Sequence, residues 1–288
     1  MGARRTIRRL RKSHKPIIIF LSVITFIFSQ AEYQVATIPH SASELSLHNS
    51  LESINQKQNK LNTSLSFLQY PSQINLLNYS YNKLNLILLD YGTLKDKLDN
   101  EIFNAFNAYE CIIKYNFNRN ILDLFKLGGS IGGLFSKIET YSSYALLSNI
   151  QVNKLIDNSQ ISFALENIGF VIKSYTNNNL KLPLRSQLSI TKKLKHHETS
   201  FGYNNIYNFN TDIIEHIISI QTNINDNVNL RLSNSNYRNN LLIDNYNSDF
   251  YYGLALGVSV QSKNKSIFDI GICNLGPSGY IYGLTINF

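Results

Sequence analysis

The segment from Gly279 to Phe288 alternates without a break between two faces, one of large apolar side chains and the other of Ile281, Gly283, Thr285 and Asn287. Its apolar face carries five residues: Tyr280, Tyr282, Leu284, Ile286 and Phe288. A period of two over a whole segment is typical of a β-strand with one apolar face. An apolar ladder that ends on an aromatic carboxyl terminus predicts the closing strand of a membrane-spanning β-barrel. We expect these five residues to be the signal that the barrel-assembly machinery recognises.

The same alternation recurs upstream, in Phe250–Gln261 and Phe268–Cys273, where bulky apolar residues alternate with small or polar ones. A soluble sandwich buries its large residues, whereas a membrane barrel turns them toward lipid and keeps a small, polar lumen. The face opposite the bulky apolar residues, here called the minor face, is rich in small residues, which favours the barrel. The alternative, a soluble secreted β-sandwich, requires an inward orientation of Leu254, Leu256, Val258 and Ile286.

From Leu61 onward, short alternating runs are separated by Asn, Asp, Gly, Lys and Ser. This pattern predicts an all-β chain of about a dozen strands, close to the even counts of single-chain barrels. One segment, Thr211–Ile220, breaks the period. Its isoleucines at 213, 214, 217 and 218 have helical spacing, with Thr211 or Asp212 as a suitable N-cap. We therefore expect one short helix there, in a loop or at the barrel mouth.

The chain begins with a pattern typical of a secretory signal peptide. A basic region reaches Lys15, an apolar core covers Ile17–Phe28, and Ser29-Gln30-Ala31 forms a small-x-small cleavage site. The core is shorter than the ~20 residues of a spanning helix. We predict a signal peptide over residues 1–31 cleaved after Ala31, an N-terminal periplasmic or lumen segment over 32–60, and the barrel over 61–288. Within 32–60, a helical turn is expected around Ala42–Ile54.

The net charge of +8 belongs to this leader. Seven of the 27 basic residues lie in its first 15 positions, and the remaining 20 balance 19 acidic residues. The chain is therefore not predicted to bind nucleic acid. Cys111 and Cys273 are the only cysteines, which excludes a disulfide scaffold and a CxxC site. We expect them to be apolar fillers, and a single bridge between them is the alternative.

No group of residues predicts catalysis, a cofactor or a metal. The glycine pairs in Leu127–Phe135 lack the Lys-Ser/Thr of a phosphate loop, and glycines within a strand more often mark a bend or a close approach. The adjacent His196 and His197 would point to opposite sides of a strand, without a third ligand at suitable spacing. The chain is therefore predicted not to be an enzyme.

Several segments, taken in order, resemble the PorQ-type component of the type IX secretion system of Bacteroidota. They are Ile38-Pro39-His40-Ser41-Ala42, Leu88-Leu89-Asp90-Tyr91-Gly92, Phe103-Asn104-Ala105, Ile138 to Ala145, Ala164-Leu165-Glu166-Asn167-Ile168-Gly169, Tyr175, Leu182-Pro183-Leu184 and Ser189 to His196. The resemblance covers most of the mature chain. The stretch from Ser43 to Tyr70 departs from it, because it is short and lacks the Asn-Pro-Ala element of related barrels. That departure argues against an N-terminal hatch inside the barrel.

The resemblance implies a barrel of about 14 strands, like that of the long-chain fatty-acid transporters. It also implies a non-enzymatic role in the outer membrane of a Gram-negative bacterium, as the anchor of a PorZ-type surface protein near the PorU–PorV sortase pair. That role predicts a plugged or narrow lumen. The alternative is a barrel that transports hydrophobic small molecules, for which an apolar pocket in the lumen is expected.

Overall fold

The computed structural model of the protein describes residues 33–51, 62–98, 101–121, 125–175, 180–194, 198–236 and 251–288. Within these ranges the chain forms fourteen β-strands, one α-helix and three short 3-10 helices. The strands are β1 (Thr63–Gln69), β2 (Asn75–Tyr81), β3 (Leu84–Leu98), β4 (Glu101–Ile121), β5 (Phe125–Ile138), β6 (Tyr141–Ile156), β7 (Ser159–Lys173), β8 (Arg185–Lys193), β9 (Thr199–Asn208), β10 (Ile213–Asn225), β11 (Val228–Ser235), β12 (Leu254–Gln261), β13 (Ile267–Asn274) and β14 (Tyr280–Asn287). The helix is α1 (Ala42–Ser46), and the 3-10 helices cover Gln34–Ala36, Pro71–Gln73 and Gly276–Ser278.

The strands form one closed antiparallel barrel, in which each strand pairs with the next and β14 pairs with β1. In the closing pair, Leu65 lies opposite Ile286 and Phe67 lies opposite Leu284. Closure gives every strand two hydrogen-bonded neighbours, which removes the exposed edges of an open sheet. The predicted antiparallel barrel of about 14 strands is confirmed.

The bulky faces of the strands point outward. Along β14, Ile281 and Thr285 are buried inside the barrel, whereas Tyr282 and Leu284 are exposed outside. On β12, Leu256 is 48% exposed while its neighbour Ala255 is fully buried. The alternating residues therefore do not meet in a closed core, and the sandwich alternative is wrong.

The two ends of the barrel differ in their connections. One end, here called the turn end, holds Phe288 and two-residue turns at 82–83, 157–158 and 226–227. Asn82 and Asp157 open two of these turns with φ of 52° and 50°, a left-handed conformation that Asn and Asp tolerate and that such hairpins require. The other end, here called the loop end, holds the longer connections 174–184 and 236–253.

One side of the wall is taller than the other. Strands β3 to β7 contain 14 to 21 residues, whereas β11 to β14 contain eight each. At the loop end, β3 pairs with β2 only as far as Asp90, and β4 pairs with β5 only from Ala108. Beyond these residues, β3 and β4 continue to pair with each other, up to Leu98 and Glu101. This hairpin therefore projects from the rim.

The helix expected at Thr211–Ile220 is wrong, because β10 occupies that segment and pairs with both β9 and β11. Ile217 is fully buried in the lumen and Ile218 is 63% exposed outside. Isoleucine suits a pleated strand, and pairing on both sides overrides a local spacing that fits either structure. The α-helix lies instead at Ala42–Ser46, within the helical turn expected around Ala42–Ile54. Among the described residues, no helix has the length and apolar character needed to cross a bilayer.

Candidate functional site

Residues Tyr33–Leu51 lie inside the barrel and are here called the plug. Its helix α1 packs against β12, β13 and β14, and the preceding 3-10 helix contacts β3 and β4 on the opposite side. Most of the plug is buried, including Val35, Leu45 and Leu47. The departure at Ser43–Tyr70 argued against a hatch, whereas the type IX role predicted a plugged or narrow lumen. In the structure, residues 33–51 fill part of the lumen.

Local capping forms the helix of the plug. The Ser41 hydroxyl accepts a hydrogen bond from the Glu44 N–H at 3.2 Å, and the Glu44 carboxylate accepts one from the His40 N–H at 2.7 Å. These reciprocal bonds satisfy donors that the start of a helix leaves unpaired. The Ser-x-x-Glu spacing at 41–44 is the sequence signal for this helix start.

Glycines on the inner face of the wall let α1 approach closely. A Cβ atom added to Gly271 would lie 2.5 Å from the carbonyl oxygen of Ala42, and one added to Gly257 would lie 2.5 Å from Cβ of Ser46. At Gly283 the nearest plug atom would be Cα of Ala42 at 3.2 Å. The small minor face seen in the sequence is therefore the seat of the helix.

Two wall hydroxyls bind the helix and the turn after it. Thr285 Oγ1 accepts a hydrogen bond from the Ala42 N–H at 2.9 Å, and the Ser233 hydroxyl donates to the Ser46 carbonyl at 2.8 Å. Because the Ser233 hydroxyl proton is donated to Ser46, the Ser233 oxygen acts as the acceptor toward His48. It accepts a hydrogen bond from the His48 Nδ1–H at 2.8 Å. The neutral imidazole then turns the lone pair of Nε2 toward the Cys273 thiol, 3.6 Å away. Burial lowers the pKa of His48 to about 4, which keeps it uncharged at neutral pH.

A β-bulge in β7 holds the first residues of the plug. Glu166 and Asn167 together face the single residue Asn149, and Asn167 has φ of 60°. Its amide Nδ2 donates to the carbonyl of Ala36 at 3.2 Å and to that of Pro183 at 2.9 Å. The bulge lies within Ala164–Gly169, one of the segments that carried the family resemblance.

Charged and aromatic groups add further contacts. Arg185 donates to the Thr37 carbonyl and to the Glu166 carboxylate, each at 2.8 Å. The Glu110 carboxylate accepts a hydrogen bond from the Val35 N–H at 2.8 Å. On the tall side of the wall, the Tyr33 and Ser143 hydroxyls lie 2.5 Å apart. Side chains of the wall thus satisfy the plug backbone along most of its length.

Cavities lie on both sides of the plug. The turn-end cavity, about 770 Å³, is lined by His40 and Glu44 of the plug and by many wall amides and two lysines, Lys83 and Lys114. The loop-end cavity, about 500 Å³, is lined by the other side of the plug, including Leu45 and His48. Much of its remaining lining is apolar or aromatic: Ile38, Pro39, Tyr70, Ile206, Ile213, Tyr252, Leu275 and Ile281.

The remaining sequence predictions have mixed outcomes. The cleavage site at Ala31 and the histidines 196 and 197 lie outside the described residues. The role of the closing-strand signal stays a prediction, although Tyr280, Tyr282, Leu284 and Phe288 do face outward. Cys111 and Cys273 are both free. Throughout the described ranges, no cluster of three or more His, Cys, Asp or Glu side chains could hold a metal ion.

The glycine pairs in Leu127–Phe135 lie in the middle of β5, as expected for a strand and not for a phosphate loop. Gly129 contacts its surroundings closely, because a Cβ there would lie 2.6 Å from the ring of Phe117. Gly133, in contrast, has open space around it.

No protein-family model matches the sequence, and no curated protein matches it. Among solved structures, the toluene transporter TbuX of Ralstonia pickettii has a TM-score of 0.51 at 7% identity, and the match covers 88% of this chain and 98% of that one. A FadL homologue of Pseudomonas aeruginosa has a TM-score of 0.45 at 9% identity over 79% of this chain and 88% of its own. The likeness to TbuX shows a shared barrel fold.

Proposed function

We propose that this chain is an outer-membrane β-barrel that transports small hydrophobic molecules, with the loop-end cavity as the entry site and the plug as the gate. In this role the barrel catalyses no reaction. The observation that carries it is the loop-end cavity, which combines a size of about 500 Å³ with an apolar lining and a floor made by the plug. Small-molecule sites are commonly cavities of about 300–1,000 Å³ with mostly apolar walls.

The outward face supports the membrane location. Large apolar side chains such as Ile131, Ile218 and Ile270 are each more than 60% exposed on the outside of the barrel. Soluble proteins rarely expose a continuous apolar surface of this kind, whereas lipid tails cover it without penalty. Outer-membrane barrels place short turns toward the periplasm and longer loops outside, so the loop-end cavity would face the exterior. The predicted leader and the barrel-assembly machinery would bring the chain there.

The contacts of the plug suit a gate. They combine apolar packing of residues such as Val35 and Leu45 against the wall with hydrogen bonds from wall side chains to the plug backbone, each of which contributes about 0.5–1.5 kcal/mol net. The wall is held by its own ladder of backbone hydrogen bonds, so the plug can move without opening the sheet. The protein named as a toluene transporter has the same fold, which is a precedent for an apolar cargo.

A reversible cross-link tests the gate. A Cβ atom at Gly283 would lie 3.4 Å from Cβ of Ala42, near the usual 3.5–4.5 Å separation across a disulfide. We expect Ala42→Cys with Gly283→Cys to form a disulfide that stops uptake of toluene into proteoliposomes, and a reductant to restore it. Each single variant is the control. Unchanged uptake in the cross-linked protein would contradict a gating plug, and no uptake by the unmodified protein would contradict transport.

A second candidate is the anchor of the type IX attachment complex, which the sequence resemblance implies. Two observations favour it: the plug closes the lumen, and the β3–β4 hairpin projects from the loop end, where a surface protein could bind. Affinity purification of a tagged copy from bacterial envelopes separates the candidates. Recovery of a PorZ-type protein supports the anchor, and its absence together with measured uptake supports transport.

A further inference from the structure

The charged groups of the loop-end cavity indicate which hydrophobic molecules it accepts. Arg185, Glu215 and His48 are the charged or potentially charged side chains among the described residues that line it, besides the weakly acidic Cys273 and two tyrosines. The hydrogen bonds and ion pairs of these three side chains determine which charge is left to interact with a ligand.

Arg185 has no positive charge to spare. Its Nη2 forms an ion pair with Glu166 at 2.8 Å, its Nη1 donates to the Thr37 carbonyl at 2.8 Å, and its Nε is buried and therefore not exposed to an incoming ligand. An incoming carboxylate would have to displace Glu166 from the bulge. Removing one partner of such a pair is strongly unfavourable.

His48 also contributes no positive charge. Its Nδ1–H is donated to Ser233, and its Nε2 faces the Cys273 thiol. Both partners are neutral groups, so neither supplies a negative charge that would stabilise a protonated ring. Burial lowers the pKa of His48 to about 4, so the ring is uncharged at neutral pH.

Glu215 is the group whose negative charge is only partly compensated. It lies on the inner face of β10, opposite Ile206 and between the inward-facing Ile213 and Ile217. The Ser235 hydroxyl donates one hydrogen bond to its carboxylate. The positive charge of Arg185 also acts on Glu215, but its guanidinium forms the ion pair with Glu166, so one cation serves two carboxylates. A partly buried carboxylate in an apolar setting is unfavourable without a cation.

Two aromatic rings line the same cavity, those of Tyr70 and Tyr252. The Tyr70 hydroxyl is used in a hydrogen bond to the Pro39 carbonyl at 3.0 Å, which fixes that side chain. Ring faces of tyrosine attract organic ammonium groups, and their edges pack against apolar ones. The cavity therefore combines a partly compensated carboxylate with surfaces that suit an apolar body.

We propose that the loop-end cavity selects small amines with an apolar body, with the ligand ammonium at Glu215, and rejects carboxylates. Glu215 is then the residue that determines specificity. This inference rests on the proposed transport function and narrows its substrate class. It separates this barrel from one that takes fatty acids, whose carboxylate would meet Glu215 and find no free cation.

Three probes that share one apolar body test the selection: 2-phenylethylamine, 2-phenylethanol and phenylacetate. Their affinities for the detergent-solubilised full chain are measured by calorimetry at pH 7.5, where the amine is charged. We expect the amine to bind at least tenfold more tightly than phenylacetate. Glu215→Gln should weaken the amine about tenfold and leave the alcohol unchanged, and Glu215→Asp should retain part of the preference. Glu198→Gln, at the exposed turn end, is the matched control.

The outcomes are distinguishable. Equal affinities for amine and alcohol, unaffected by Glu215→Gln, would overturn the amine selection and leave the proposed function in place. Tighter binding of phenylacetate would overturn it as well. Absence of binding for all three probes would count against the proposed function itself. The shift of barrel mobility on unheated gels shows whether each variant is folded.

Discussion

The imidazole Nδ1 of His48 lies 2.8 Å from the hydroxyl oxygen of Ser233, and this contact joins the plug to strand β11. The same hydroxyl donates to the Ser46 carbonyl, so one wall residue fixes both the last residue of α1 and His48, two residues beyond it. Burial favours the neutral imidazole. The docking of the plug is therefore linked to pH through His48.

Acidification should loosen the plug. The pKa of His48 falls from 6.5 to about 4 when the plug is docked, so a released plug binds a proton more readily. The docked state is fully stabilised above about pH 6.5 and loses about 1.4 kcal/mol per pH unit as the pH falls from there toward 4. Conductance in planar bilayers should rise over that range. His48→Gln should flatten the profile, and a wild-type conductance independent of pH would contradict the linkage.

A side chain at Gly271 should displace α1. The added Cβ of Gly271→Ala would lie 2.5 Å from the backbone oxygen of Ala42, which has no flexible group to move aside. We expect higher conductance and faster proteolysis of the plug, with the barrel still folded. Gly133→Ala is the matched control, because nothing lies within 4 Å of its Cβ. Equal behaviour of the two variants would show that α1 is not seated on this glycine.

Asn167→Gly should release the first residues of the plug without unfolding the wall. Glycine keeps the left-handed backbone of the bulge but removes two hydrogen bonds, to Ala36 and Pro183. The expected loss is about 1–3 kcal/mol of docking free energy. Hydrogen exchange of the Val35 and Ala36 amides should accelerate, while amides in β5 and β6 remain protected. Unchanged exchange at Val35 would argue that Glu110 alone holds this segment.

Asp269→Ala should destabilise the wall beneath α1 more than any plug variant does. Asp269 accepts from Arg231 at 2.7 Å and from Asn287 at 3.0 Å, and both members of the ion pair are nearly fully buried. Loss of the carboxylate leaves a buried, uncompensated cation, which destabilises by about 3–5 kcal/mol. Urea unfolding in detergent measures this change. A double variant, Asp269→Leu with Arg231→Met, should recover part of it, and the absence of any recovery would argue against the buried charge as the cause.

The site could be predicted only in part. The glycines that seat α1 were visible as a small minor face, yet their role as a helix seat depends on which segment enters the lumen. The Ser41-x-x-Glu44 spacing signals a helix start but not its position inside a barrel. The Ala164–Gly169 segment was one of those that carried the family resemblance. Its β-bulge, and the hydrogen bond from Asn167 to the Ala36 carbonyl, depend on the pairing of β7 with β6. His48, Arg185 and Glu215 carried no local signal at all, because their partners lie far away along the chain.

The amino-acid pattern alone determined the two faces of the wall, since a period of two in side-chain size separates an apolar outside from a small, polar inside wherever a strand forms. It also determined the strand connections, because residues such as Asn82 and Asp157 tolerate the left-handed backbone of tight turns. Tertiary structure decided the rest. Ile213–Asn225 became a strand because neighbours paired with it on both sides, and residues 33–51 became a plug because the closed sheet enclosed a glycine-lined space that the helix could fill.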